Sequence, residues 1–213
     1  GQLRVKRLMR HIEEHLSLKE LELWRDRCYR QPNNIESHLG YISALTTKGD
    51  YEQAVSESRI LLEKHPGALK RLITCIEKLA IHLRHARHLL AFLVELKMQN
   101  RQYDEAFGLA KRMADSCDDK TSVMVEYSTR ILERNPLHQH SLQYMLGVAQ
   151  SREQWNKVFE YSECLANIDT HNQIRYRKLM LASAIKLDRA EETLALAKAL
   201  YGQTADGKEL FQR

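Results

Sequence analysis

The chain has 213 residues and a formal net charge of +5 at pH 7, with 43% apolar and 29% charged residues but only 3 Pro and 8 Gly. This length fits one or two compact domains or one array of small units, and the mild charge argues against a dedicated nucleic-acid binder. Helix-favouring residues dominate and alternating β-branched runs are nearly absent, so the composition predicts an all-α fold.

The sequence contains no apparent membrane span or metal-binding cysteine motif. The longest apolar run, residues 89–96, already contains Glu95 and is shorter than the ~20 residues that a bilayer requires. More than 40 residues separate consecutive cysteines, which are Cys28, Cys75, Cys117 and Cys164. We therefore expect four reduced thiols that act as small apolar side chains. Reduced thiols favour the cytoplasm, although the periplasm or another compartment stays open because the chain can be a fragment.

The first predicted elements are two helix-like segments within residues 1–34, RVKRLMRHIEEHL and LKELELWRDRCYRQ. They predict a degenerate helical pair with a basic N-terminal end.

A better-defined helical hairpin is predicted between Pro32 and Pro66, which are 34 residues apart. Gly49 permits the left-handed backbone that ends a first helix, and Asp50 can cap the second helix. Ala54 lets the two helices approach closely, while Pro66 ends the second helix and redirects the chain. These residues therefore indicate a stacking unit rather than a chemical site.

This stretch resembles the tetratricopeptide repeat, a 34-residue helical hairpin with a Gly-Asp-Tyr type of turn, a small residue early in the second helix and a closing Pro. The matching residues are Gly49, Asp50, Tyr51, Ala54 and Pro66. The chain departs from the family pattern at His38, where Trp is preferred, and at Ile42, where a small residue is preferred. The resemblance implies a right-handed superhelical α-solenoid in which neighbouring pairs bury each other's apolar faces.

The period of about 34 residues then predicts the rest of the array. Counting from Ile35 places first helices near positions 35, 69, 103, 139 and 173, with a two-residue slip near Asp118 and Asp119. Five pairs over 35–201, with the degenerate pair, give about six pairs in a single domain, followed by a polar tail over 202–213.

Two features of the middle of the chain conflict with this count. Residues 98–116 look like the turn and second helix of a unit, although the period places a first helix there; we follow the period. Residues 69–102 contain no Gly or Pro, so one long helix is an alternative to a pair.

No motif for catalysis is present. A Gly-rich phosphate loop, a nucleophile elbow and zinc-ligand spacings are all missing from the sequence. The carboxylates are instead predicted to pair with basic residues on the same helix face, such as Glu105 with Lys111 and Glu126 with Arg130. We therefore expect no enzyme activity, no cofactor and no metal.

The segment from Leu69 to His88 is unusually basic. His82, His85 and His88 recur at steps of three, which permits a metal site, but neighbouring arginines and the lack of a carboxylate argue against one. An anion site for an acidic peptide, a polyanion or a phosphate is a second alternative, and a solvated ridge is the default interpretation. The residues that we name the basic patch are Lys70, Arg71, Lys78, Arg84 and Arg87.

The family resemblance also implies a concave wall built mainly from first helices. The candidate groove residues carried over in this way are Glu36, Leu39, Ser43, Thr46, Thr47, Lys70, Ile73, His140, Gln143, Gln150, Ile174 and Arg177. The family's clamp for the C-terminal carboxylates of chaperones uses Lys, Asn and Arg. In this sequence the corresponding positions are occupied by Leu39, Ser43 and Thr74. A chaperone-adaptor role is therefore not expected.

The leading functional prediction is a non-enzymatic scaffold that binds a partner protein or peptide in the groove, as a module of a larger complex. The alternative is a binder of a polyanion, RNA or an acidic polysaccharide, through the basic faces. A steep fall of affinity with salt distinguishes the alternative. A purely structural role in a multiprotein machine is a third interpretation that the sequence does not separate from the first.

Overall fold

A computed structural model of the chain describes residues 17–80 and 86–201, and all regular structure within those ranges is helical. The all-α prediction is confirmed. The helices are α1 (17–30), α2 (Ile35–Lys48), α3 (Tyr51–Lys64), α4 (Leu69–Ala80), α5 (Arg87–Gln99), α6 (Tyr103–Asp115), α7 (Lys120–Arg134), α8 (Gln139–Ser151), α9 (Trp155–Ile168), α10 (Gln173–Lys186) and α11 (Ala190–Tyr201). Short 3₁₀ turns precede α4 (Pro66–Ala68) and α10 (Thr170–Asn172). None of these helices is long and apolar enough to cross a membrane.

The helix starts agree with the period seen in the sequence. Helices begin at Ile35, Leu69, Tyr103, Gln139 and Gln173, the positions at which the count places first helices. The alternative of one long helix over 69–102 is wrong, because Ala86 has a non-helical backbone (φ −81°, ψ 61°) directly before α5.

One turn recurs at four connections. Gly49, Arg101, Glu153 and Asp188 have φ values of 89°, 59°, 53° and 54°. In each case the following N–H donates to a carbonyl five residues earlier, as from Asp50 to Leu45 at 3.0 Å. This is the 6→1 hydrogen bond of a Schellman motif, which ends a helix and reverses the chain.

The turn at Arg101 explains the conflicting motif over 98–116. It connects α5 to α6 with the same hydrogen bonds that connect α2 to α3 and α8 to α9. The local sequence therefore predicted the turn correctly, while the period predicted the helix start at Tyr103 correctly. The type of turn between two helices does not determine which of them is the first helix of a pair.

Contacts divide the chain into two compact units with a boundary between Met113 and Ala114. In unit 1, α2 packs against α3 and α4, and α5 packs against α3 and α4. The helices α2 and α4 thus lie side by side, as do α3 and α5. Fully buried core side chains of this unit include Ile42, Leu45, Leu61, Leu72, Ile76, Leu89, Leu93 and Leu96.

In unit 2 each helix packs on its neighbour in sequence, from α7 through α11. The core lies between α8, α9 and α10 and consists of Leu142, Leu146, Ala149, Val158, Leu165, Ala166 and Tyr176. In contrast, α11 has no fully buried residue.

Candidate functional site

An unusually close approach between α1 and α2 forms one wall of the candidate site. A Cβ atom built on Gly40 would lie 2.5 Å from Cδ2 and Cε3 of Trp24, well inside van der Waals contact. The missing side chain therefore lets the indole lie directly on the α2 backbone. The guanidinium of Arg27 lies 4.8 Å from the centre of the same indole, which adds a cation–π contact.

A cleft of about 640 Å³ lies where α1, α2 and α4 meet. Its apolar floor consists of Leu39, Gly40, Trp24, Cys75 and Leu79. Leu39 is 9% exposed, and the other four are half-buried. The floor can therefore still cover apolar surface on a bound molecule, which is the general character of small binding sites.

The rim of the cleft is polar and mostly cationic. It consists of Glu36, Ser43, Lys70, Arg71, Thr74 and Lys78. Arg71 forms an ion pair with Glu36, and both side chains are about half exposed or more, at 49% and 68%. Within the described ranges, Lys70 and Lys78 form no ion pair with a carboxylate. Three cations against one carboxylate leave the rim positive.

Cys75 links the floor to the rim. Its thiol lies 3.9 Å from the Leu39 carbonyl. Burial raises the pKa of Cys75, and the positive charge of Lys78 acts in the opposite direction. The thiol is therefore protonated at neutral pH, and it behaves as part of the apolar floor rather than as a nucleophile.

The predicted groove residues of unit 1 divide between the cleft and the core. Glu36, Leu39, Ser43 and Lys70 line the cleft, so α2 and α4 supply most of its lining. Thr46 is fully buried and its hydroxyl donates to the Ile42 carbonyl at 2.8 Å. Ile73 is 4% exposed and also belongs to the core, while Thr47 is exposed outside the cleft.

The basic patch is only partly assembled by the structure. Lys70, Arg71 and Lys78 meet at the cleft, whereas Arg87 is exposed at the start of α5 and is not a cleft residue. Arg84 lies outside the described residues, as do the basic residues of the N-terminal segment.

The predicted groove residues of unit 2 lie on α8 and α10. His140, Gln143, Gln150 and Ile174 are exposed, Ile174 by 65%, and Arg177 is half-buried. The Gln143 side chain donates to the hydroxyl of Tyr176 on α10 at 3.2 Å. Gln143 therefore helps to join two predicted first helices rather than standing free.

A buried carboxylate at the junction of α9 and α10 anchors this part of unit 2. Asp169 accepts hydrogen bonds from the side chains of Gln139 (3.1 Å), Asn172 (2.9 Å) and Tyr176 (3.3 Å). Donation from Asn172, with that of Tyr176 and the proximity of His171, holds the pKa of Asp169 below its ordinary value despite burial. The network has a structural role, because its donors stabilise the charged form of an otherwise costly group.

Unit 1 contains a buried ion cluster that the sequence did not reveal. Lys97 on α5 is 2% exposed, and its ammonium pairs with Glu77 on α4 at 2.5 Å and with Glu105 on α6. The predicted partner of Glu105 was Lys111, and that prediction is wrong. The other predicted helix-face pair, Glu126 with Arg130, is present at 3.9 Å.

Burial and ion pairing shift the pKa of Lys97 in opposite directions. Desolvation lowers the pKa of Lys97, but hydrogen bonds to Glu105 and Glu77 outweigh it and leave the pKa raised. The same contact with Lys97 lowers the pKa of Glu105. Lys97 and Glu105 are therefore charged at neutral pH, and the contacts of Lys97 join α4, α5 and α6.

Neither metal chemistry nor disulfides are supported by the described part of the chain. Of the three spaced histidines, His88 is exposed on α5, and His82 and His85 lie outside the described residues. Within residues 17–80 and 86–201, no group of three His, Cys, Asp or Glu side chains is arranged to hold a metal ion. All four cysteines are free thiols, as predicted, although each is half-buried rather than fully buried.

The sequence analysis did not identify Trp24 as a cleft residue. The available signal was Gly40, a glycine within a helix, where it costs about 1 kcal/mol relative to Ala and so indicates a close approach.

Comparison of the sequence with protein-family models and with curated proteins returned no match in either case.

Proposed function

We propose that this chain is a non-enzymatic scaffold of tetratricopeptide-like helical pairs, and that a segment of a partner protein binds in the cleft of unit 1. One observation supports this proposal above the others. Residues predicted for the groove and residues of the basic patch, two sets that share only Lys70, line one cleft with an apolar floor and a polar rim. A concave surface of this kind suits an extended segment of another chain.

The chemistry of the cleft favours binding over catalysis. Among the described lining residues the only carboxylate is that of Glu36, which is engaged by Arg71, and the Cys75 thiol has a raised pKa. A paired acid and base, or an activated nucleophile, would be expected at a catalytic centre. The superhelical stacking of about six pairs is part of the same proposal, and the packing of α2 against α4 and of α3 against α5 supports it.

The proposal can be tested with two matched substitutions on α2. Ser43 lines the cleft, whereas Thr47, one turn further on, is exposed outside it. Ser43→Tyr should therefore fill the cleft, and Thr47→Tyr should leave it open. The probe is a library of random 12-residue peptides displayed on phage and selected on the immobilised wild-type chain.

We expect enriched peptides that bind the wild type and Thr47→Tyr with equal affinity and Ser43→Tyr at least tenfold more weakly, a difference of about 1.4 kcal/mol. Circular dichroism melting of all three proteins checks that the variants fold. If selection enriches no peptide, or if enriched peptides bind Ser43→Tyr normally, the cleft is not a peptide site.

A further inference from the structure

We propose that the cleft recognises an extended acidic segment with two carboxylates four residues apart and one large apolar side chain midway between them. This inference rests on the proposed function and adds the chemistry of the partner to it. Three features of the described residues lead to it: the rim charge, the spacing of Lys70 and Lys78, and the apolar floor of the same cleft.

The positive charge of the rim favours a partner segment with negative charge. Arg71 is neutralised by Glu36, but Lys70 and Lys78 have no carboxylate partner within the described ranges. Both lysines are exposed, so an acidic ligand could reach them without displacing a carboxylate of residues 17–80 or 86–201. A basic segment would meet two uncompensated positive charges and only one carboxylate, which is already occupied.

The spacing of the lysines selects the spacing of the carboxylates. On α4, Thr74 lies four residues after Lys70 and Lys78 lies eight residues after it. The three side chains therefore follow one face of the helix. With a rise of 1.5 Å per residue, Lys70 and Lys78 are separated by about 12 Å along the axis. An extended chain advances about 3.3 Å per residue, so side chains four residues apart match this distance.

The floor selects the central side chain. Cys75 and Leu79 on α4 line the same cleft as Leu39 on α2 and Trp24 on α1. In an extended segment with carboxylates at positions one and five, position three points to the same side as those carboxylates. A Leu or Phe at position three therefore enters the apolar floor when both acidic side chains reach the lysines.

A polyanion fits these features less well. The phosphates of RNA would pair with the lysines, but the apolar floor would have to receive a base. The described lining offers a base no amide, hydroxyl or charged group on that floor, because its side chains are Leu39, Trp24, Cys75 and Leu79. An RNA ligand is therefore treated as an outcome of the test.

The test uses the full chain and three fluorescein-labelled peptides that differ only at the selected positions. Their central sequences are Glu-Ala-Leu-Ala-Glu, Lys-Ala-Leu-Ala-Lys and Glu-Ala-Ser-Ala-Glu, each between Gly-Ser flanks. Fluorescence anisotropy gives the Kd of each peptide for the wild type and for the double variant Lys70→Glu/Lys78→Glu. The control variant Lys157→Glu/Lys178→Glu changes the net charge equally at two exposed lysines of unit 2.

We expect the wild type and the control variant to bind the acidic Leu peptide about tenfold more tightly than the basic peptide, as two partly exposed ion pairs allow. Replacement of the central Leu by Ser should weaken binding by a similar factor. The Lys70→Glu/Lys78→Glu variant should prefer the basic peptide. Loss of preference without its reversal, or equal behaviour of the two double variants, would overturn the inference.

Failure of this inference is distinguishable from failure of the proposed function. If phage selection enriches neutral or basic peptides that Ser43→Tyr no longer binds, the cleft is a peptide site but the acidic motif is wrong. If no peptide binds and single-stranded poly-U does, with affinity that falls steeply with salt, both proposals are overturned in favour of polyanion binding.

Discussion

The buried ion cluster of unit 1 should respond very differently to removal of its cation and removal of its anions. Lys97 is 2% exposed, whereas the side chains of Glu77 and Glu105 are 41% and 53% exposed. Lys97→Met removes the one group that water does not reach, and both carboxylates can then be hydrated. Glu77→Gln/Glu105→Gln leaves the ammonium buried with only neutral acceptors.

The expected magnitudes follow from this asymmetry. An unpaired buried charge costs about 3–5 kcal/mol, and apolar replacement of the charge itself is often close to neutral. We expect the double Gln variant to lose about 3 kcal/mol of unfolding free energy, near the lower limit because the amide oxygens still accept hydrogen bonds. Lys97→Met should lose less than about 1 kcal/mol.

Urea unfolding followed by tryptophan fluorescence can measure both effects. The chain has two Trp residues, so Trp155→Phe leaves Trp24 as a probe of unit 1. Lys111→Met, at an exposed lysine on α6, is the control and should change stability by less than about 0.5 kcal/mol. If Lys97→Met destabilises as much as the double Gln variant, the assignment of Lys97 as the desolvated partner is wrong.

The same cluster predicts a pH dependence with a defined sign at each end. Glu105 has a pKa below its ordinary 4.5, so its contribution is present above pH 4.5 and disappears as pH falls through the lowered value. Lys97 has a pKa above its ordinary 10.5, so its contribution is present below pH 10.5 and disappears as pH rises through the raised value. Relative to Lys97→Met, the wild type should therefore lose stability only outside about pH 5–10.

Three further predictions concern single residues. Gly49→Ala should destabilise by about 1 kcal/mol in urea unfolding because φ is 89°, whereas Gly147→Ala, at an open helical position, should stabilise slightly. Asp169→Asn should lower the melting temperature at neutral pH. That difference should vanish as pH falls through the lowered pKa of Asp169, below 3.8. The Cys28 thiol, whose pKa burial raises to about 11, should react slowly with Ellman's reagent at pH 8. Unfolding without reductant should release four reactive thiols.

Backbone-level features of the fold could be predicted from the sequence because they depend on local chemistry. Gly49 and Asp50 specify a helix end and a helix start by themselves, since one permits a positive φ and the other accepts a hydrogen bond from Gln53 at 3.4 Å. A constant period then places further helix starts along the chain, which is how Tyr103 could be predicted as a helix start although residues 69–102 contain no Gly or Pro.

Side-chain partners could not be predicted in the same way, because they depend on how each helix is rotated against its neighbours. Lys97 looks like an ordinary solvated lysine in the sequence, but α4 and α6 supply carboxylates that allow its burial. Thr46 and Ile73 were assigned to the groove from their positions in a repeat, but both are buried in the core of unit 1.

The cleft could be predicted from the sequence only in part. First-helix residues such as Glu36 and Ser43 could be carried over from the family pattern, and Lys70 was recognised from its charge. That these groups share one site with Trp24 depends on the docking of α1 against Gly40, a contact between residues 16 positions apart that no periodic pattern contains.

The pairing of Lys97 with both α4 and α6 also affects how unit 1 can come apart. In a linear array a terminal helix can open by itself, because it contacts only its immediate neighbour. Here, detachment of α6, the last helix of the unit, would expose the ammonium to water beside α4 and break an ion pair at the same time. Fraying at this end is thus coupled to the interior, so unit 1 should melt as a block rather than unzip helix by helix.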